Sequence, residues 1–186
     1  HTLIDSLKRF QTGRNCVRSE IQMAADVVNK LGKGRKNIIV RSNHHDHLEQ
    51  WLNRFKPKED LQNADYYFWL MDKIMKSNKS AFELAMEDLL DVDYTFIDGN
   101  RPYYCADVDV SQHGDKGADG ARSAAGFHTL HHKVQTGHIH KRYIKGLHWS
   151  SGVLQLELGY NKGLGTWSST DTLITAEGTR THVTFN

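Results

Sequence analysis

The sequence predicts a mixed α/β sandwich, and three observations predict it. Through residue 90 the apolar residues recur mostly at helical spacing. From residue 93 onward they fall into short runs rich in β-branched and aromatic residues. The histidines gather where the predicted strands end. Strand-helix order early and a run of antiparallel strands late fit such a sandwich.

Taken in order, residues 18–31 read as a helix. Ser19 can cap it, and Ile21, Ala24, Ala25, Val28 and Leu31 share one face. Gly32 and Gly34 end it. Asn37-Ile38-Ile39-Val40 is a short apolar run that reads as a buried strand. Helical patterns follow from His47 to about Phe55, over residues 64–76 and over 80–90. Tyr67, Leu70, Met71 and Ile74 form the stripe of the second, and Phe82, Ala85, Met86 and Leu89 that of the third. Strands are predicted over 94–97, 103–111, 134–136, 141–145, 153–158, 171–176 and 180–185, with Gly178 turning the last pair.

The chain has 186 residues, 38% hydrophobic and 25% charged, which suits a single globular domain over 1–186. Its formal net charge is +2, so no global field calls for a polyanionic partner. No apolar run reaches the roughly 18 residues of a membrane span, and no signal peptide opens the chain. Cys16 and Cys105 have no CxxC spacing, which favours free thiols in a reducing compartment.

The chemistry lies in the 12 histidines. Three clusters each follow a predicted strand: Asn43-His44, His113-Gly114-Asp115, and Gly137-His138-Ile139-His140. Neutral imidazole ligates Zn, Fe, Mn or Ni at ordinary pH. An amide oxygen beside it offers a hard, uncharged ligand. Such a mixture suits a hydrolytic metal site.

These clusters, in this order, resemble the later motifs of the calcineurin-like metallophosphoesterases. Asn43-His44 resembles the Asn-His of a Gly-Asn-His-acid motif, His113-Gly114 the His-Gly motif, and residues 137–140 the final Gly-His-x-His. Residues 113–120 and 159–163 resemble segments of phage-encoded members, in particular pre-early proteins that degrade host DNA in large tailed phages. The resemblance implies a partial four-layer αββα sandwich lacking its first strands. It implies two divalent metal ions, Mn first, with Fe, Zn or Ni as alternatives. Asn43, His113 and His138 would hold one ion and His140 the other. His44 would protonate the leaving oxygen. The implied reaction is phosphoester hydrolysis, with DNA as substrate in the cytoplasm of a host bacterium and no membrane partner.

The sequence also departs from that pattern. The family's earlier motifs, Asp-x-His and Gly-Asp-x-x-Asp, have no counterpart before Asn43, where the only carboxylates are Asp5, Glu20 and Asp26. With His1 as first residue, the expectation is a C-terminal two-thirds of the domain that by itself binds metal poorly and turns over little. Ser42 replaces the family's Gly, which is tolerable if its φ stays negative. A phosphomonoesterase, and a non-catalytic metal- or nucleic-acid-binding module, are the rival readings.

The remaining histidines carry no motif. His45, His47, His128, His131, His132 and His148 read as solvated or packed rings. Asp115 reads as a turn residue or as a positioner of a ligand. Arg122, Lys133, Lys141 and Arg142 could track a phosphate backbone, although scattered basic residues are usually solvated surface.

Overall fold

The structure is a computed structural model that describes residues 16–117, 124–153 and 167–185. The described residues are mixed α/β and group into two compact units. One comprises residues up to Ile38 together with His44–Thr95; the other comprises Ile39–Asn43 and the chain from Phe96 onward.

The first unit is helical. Helices α1 (Val17–Gly32), α2 (Asp46–Arg54), α3 (Ala64–Met75) and α4 (Ala81–Glu87) bury one stripe each. Ile21 and Ala25 come from α1, Leu48 and Leu52 from α2, Tyr66 and Leu70 from α3, and Ala81, Leu84 and Ala85 from α4, all packed in one cluster. The spacings of three and four are those that place side chains one above another on a helix. The start of α4 is a capping sequence, Ser80 to Glu83, in which the Glu83 N–H donates to the Ser80 hydroxyl at 3.2 Å. The start of α1 uses a remote cap instead of the expected Ser19. The Val17 N–H donates to Oδ1 of the buried Asn63, 2.9 Å away.

Strand β1 (Asn37–Val40) pairs with β2 (Tyr94–Ile97). The Asn37 N–H donates to the Asp93 carbonyl and the Arg41 N–H to the Ile97 carbonyl, so the two strands run in the same direction.

The second unit is built on a five-stranded sheet. Its strands are β3 (Tyr104–Cys105), β4 (Val108–Asp109), β5 (Lys133–Thr136), β6 (Tyr143–Lys145) and β7 (His148–Ser150). They lie in the order β3-β4-β5-β7-β6. The predicted strand over 103–111 is therefore a tight hairpin, turned at Ala106 with φ of 53°. Strand β7 was not among the predicted elements. It pairs antiparallel with β6 across the two-residue turn Gly146-Leu147, where Gly146 has φ of 56°. The sheet is mixed rather than a run of antiparallel strands: β5 pairs parallel with both β4 and β7. Burial along β5 alternates: Val134 and Thr136, on one face, are buried, whereas Lys133 and Gln135, on the other, are half-buried. Strands β8 (Thr170–Ile174) and β9 (Arg180–Thr184) form the predicted final hairpin, with Gly178 at φ of 74° in its turn. Of the strand expected over 153–158, Val153 bridges Ser169, and the rest lies outside the described residues.

Beside β5, on β7, sits an unusual core residue. His148 is 1% exposed, and its Nε2 shares a hydrogen bond with the Thr136 hydroxyl at 3.0 Å. Its ring lies against Phe127 and Tyr143. Burial, helped by the charges of Arg180 and His128, pushes its pKa down to about 4. An unfolded histidine titrates near 6.5. Between those values the unfolded chain holds a proton that the folded chain refuses, so folding stability falls as pH falls through that window. The loss expected from this residue alone is roughly 3 kcal/mol. Urea denaturation of the wild type and of His148→Phe at neutral pH and near pH 4 checks this. The wild type should lose that much more stability than the variant, and equal losses would contradict a neutral buried ring.

Candidate metal centre

Four of the five residues singled out in the sequence, Asn43, His113, His138 and His140, belong to the sheet-based unit. Three of them converge. His113 Nε2 lies 3.0 Å from Asn43 Oδ1 and 3.3 Å from His138 Nδ1. The two rings meet edge to face, with centroids 5.1 Å apart.

The convergence follows from local chain geometry. Asn43 leaves β1 through Arg41 and Ser42, and the Arg41 N–H is held by the Ile97 carbonyl at 2.7 Å. Ser42 is not among the residues of positive φ, so no glycine is required there. His113 follows β4, and Gly114 then adopts φ of 106°. A Cβ at Gly114 would come within 3.1 Å of Thr136 Cβ, so the close approach adds to the backbone conformation in favouring glycine after His113. His138 follows β5. The Gly137 N–H donates to the His113 carbonyl at 2.9 Å, which ties the two loops together directly. The Ser150 hydroxyl of β7 donates to the Gly137 carbonyl at 2.8 Å.

His138 itself stands in a strained turn. Its φ is 63°, and the Ile139 N–H reaches back to the Gly137 carbonyl at 2.8 Å. An i to i+2 bond around a residue of positive φ is the rare form of γ-turn. His140 repeats the left-handed conformation at φ of 57°, and its carbonyl accepts the Ser168 N–H at 3.0 Å. Two non-glycine residues in this region, two positions apart, are unusual, and such strain persists where the surroundings enforce it.

The cluster has the electronic character of a cation site. Asn43 Oδ1, His113 Nε2 and His138 Nδ1 all present lone pairs. If His113 Nε2 carries a proton, that one proton serves two acceptors. If His138 Nδ1 donates instead, His113 Nε2 faces the amide oxygen without a proton between them. A cation satisfies all three at once. With bonds of about 2.1 Å, ligand atoms lie about 3.0 Å apart in octahedral and about 3.4 Å apart in tetrahedral geometry. The spacings from His113 Nε2 to Asn43 Oδ1 and to His138 Nδ1 are of that size.

His140 stands outside this trio. Burial and then the nearby charge of His138 lower its pKa. Among the described residues no three His, Cys, Asp or Glu side chains are placed to share one ion. His44 belongs to the helical unit, where its exposed ring stacks on His47 at 5.3 Å. His45, its neighbour, packs flat on Phe82, with centroids 3.7 Å apart. A cavity of about 420 Å³ in the helical unit, lined in part by Asn29, Lys33, Arg35, Asp91 and Asp93, contains none of the residues singled out in the sequence.

One supporting pair was half legible in the sequence. Asp115 is an ion-pair partner rather than only a turn residue: Arg41 Nη1 lies 3.0 Å from its Oδ2, and both side chains are largely buried. Burial raises the Asp115 pKa, but the Arg41 hydrogen bond and charge, with His113 adding to them, bring the net value below the ordinary carboxylate range. The pair links the segment that carries Asn43 to the loop that carries His113. Nothing in the Arg41 sequence context marked it.

With the geometry established, comparison with known proteins adds one relative. The chain is similar to a phage protein. It is 26% identical over 190 residues to Protein A1 of Escherichia phage T5. That alignment covers 96% of this chain and 34% of Protein A1, so the chain spans about a third of the relative's length. No protein-family model and no solved structure matches it. Of the segments that resemble phage members, residues 113–120 and 159–163, residues 118–120 and all of 159–163 lie outside the described residues. No helix among the described residues is long and apolar enough to cross a membrane.

The strained turn makes a specific prediction. Replacing His138 by Ala or by Gly removes the ring equally, but only Ala keeps a Cβ in the left-handed region, at a cost of about 1 kcal/mol. The Gly variant should be the more stable by about that amount in urea denaturation. Equal stability, or a more stable Ala variant, would contradict the strain.

Proposed function

We propose that this chain contributes to a metal-dependent phosphoester hydrolase of the calcineurin-like kind, acting on DNA as a nuclease or phosphodiesterase. The observation that carries the reading is the convergence of Asn43 Oδ1, His113 Nε2 and His138 Nδ1. The similarity to a phage protein is compatible with it. Mn is the preferred metal, with Fe, Zn or Ni as alternatives for a site of imidazole and amide donors. When bound, a divalent ion lowers the pKa of a coordinated water and neutralises charge on the phosphate.

The chain's own residues divide the remaining work. Asn43, His113 and His138 hold one ion, and Arg41 with Asp115 keeps their loops in register. His140 is assigned to a second ion. His44, the residue after Asn43, is assigned the proton delivered to the leaving oxygen, a role that suits imidazole near neutral pH.

The donor trio carries no formal charge. A dication leaving water for one amide and two imidazoles gains less than it would from a carboxylate, so weak affinity is expected of these residues alone. That same feature favours the second reading, a metal- or nucleic-acid-binding module without turnover.

Hydrolysis of plasmid DNA, bis-nitrophenyl phosphate and mono-nitrophenyl phosphate, with and without Mn²⁺, separates these readings. The expected result is metal-dependent cleavage of DNA and the diester in preference to the monoester, at the low turnover expected of this chain by itself. His138→Ala should lose both metal binding and turnover. His44→Ala should lose about 10²-fold or more in turnover with metal affinity kept. Preference for the monoester would make the chain a phosphomonoesterase. Metal binding that survives in His138→Ala would refute the site.

A further inference from the structure

We propose that residues 141–145 form a rail for the sugar-phosphate backbone of a nucleic-acid strand, with Lys141, Arg142 and Lys145 as its phosphate contacts. This rests on the reading above only in taking nucleic acid as the substrate class; it does not depend on the metal.

The first support is the distribution of charge. The whole chain nearly balances, with 24 Lys and Arg against 22 Asp and Glu. Residues 124–153 break that balance. They contain Lys133, Lys141, Arg142 and Lys145, six histidines, and no Asp or Glu at all. His138 and His140 lie in this stretch. A field of one sign beside a site concentrates ligands of the opposite sign.

The second support is what the structure does with each cation. Lys133 is committed: its Nζ lies 2.8 Å from Asp107 and donates to the Gly178 carbonyl at 2.9 Å. Lys141, Arg142 and Lys145 are exposed and form no ion pair among the described residues. Among the described residues they are the exposed cations of this stretch without an ion-pair partner. Of the basic residues the sequence pointed to, Lys133 drops out, Arg122 lies outside the described residues, and Lys145 joins.

The third support is placement. Lys141 and Arg142 directly follow His140, and Lys145 ends β6, one of the two outer strands of the five-stranded sheet among the described residues. Their backbone is pinned rather than loose. The His140 carbonyl accepts the Ser168 N–H at 3.0 Å, and the Arg142 N–H donates to the Ser168 hydroxyl at 2.7 Å. From Lys141 to Lys145 the chain spans at most about 13 Å. A duplex carries one phosphate charge per about 1.7 Å of axis, so that length faces several phosphates. Contacts of this kind hold and orient a strand without reading its sequence.

The test is binding of a short fluorescent oligonucleotide, single- and double-stranded, by the full 186-residue chain in EDTA over a range of salt. With metal chelated, failure of the rail and failure of the hydrolase reading register separately. The triple variant Lys141→Gln, Arg142→Gln, Lys145→Gln should bind roughly 10- to 300-fold more weakly at about 0.1 M salt. Its slope of log affinity against log salt should be shallower by about 2 to 3. A control triple, Lys56→Gln, Lys58→Gln, Lys76→Gln, removes the same charge from the helical unit and should keep the wild-type slope. The proposal is overturned if the first triple keeps the wild-type slope, if the two triples lose affinity equally, or if the wild type does not bind the oligonucleotide at low salt.

Discussion

A single backbone hydrogen bond, from the Gly137 N–H to the His113 carbonyl, organises the candidate centre. It locks the end of β5 to the loop after β4, and those strands are parallel neighbours. Parallel neighbours deliver their carboxyl ends to the same side of a sheet, which is where α/β folds commonly place sites. His113 and His138 are therefore brought together by topology before any side-chain chemistry is considered. Gly114 is what allows the close approach, since any Cβ there would press on Thr136.

Much of the surrounding structure serves that junction. Strand β7 supplies the Ser150 hydroxyl to the Gly137 carbonyl and the His148 ring to the Thr136 hydroxyl, so both residues before His138 are held from the side. Holding them is what permits His138 and His140 to remain left-handed. Strain of this sort costs folding stability and persists only where neighbours over-determine it. The buried His148 adds a second cost that appears in acid. Both costs fall around the loop whose His138 ring meets His113.

The helical half was legible because its information is local. Stripes such as Ile21 and Ala25, or Leu48 and Leu52, name their own partners at fixed spacing, and Ser80 with Glu83 names its own cap. The sheet was legible in its elements but not in its order. No local pattern told that β5 would run parallel to both neighbours, because that depends on crossovers and not on the strands. Strand β7 escaped notice because His148-Trp149-Ser150 is short and half polar; the signal was Gly146 between two aromatic-containing triplets. At the centre, Asn43, His113 and His138 were readable as residues after strands, and the structure adds their distances. Arg41 as partner of Asp115, and Asn63 as the cap of α1, are long-range pairings that a chain read in order does not reveal.

The account stands or falls on whether Asn43, His113 and His138 act together as ligands. The most direct measurement is X-ray absorption at the metal K-edge of the chain loaded with one equivalent of Zn²⁺ or Mn²⁺, beside His113→Ala. The account predicts a first shell of nitrogen and oxygen at about 2.1 Å with the outer scattering of two imidazoles, falling to one in the variant. A spectrum without imidazole scattering, or one that His113→Ala leaves unchanged, would contradict it.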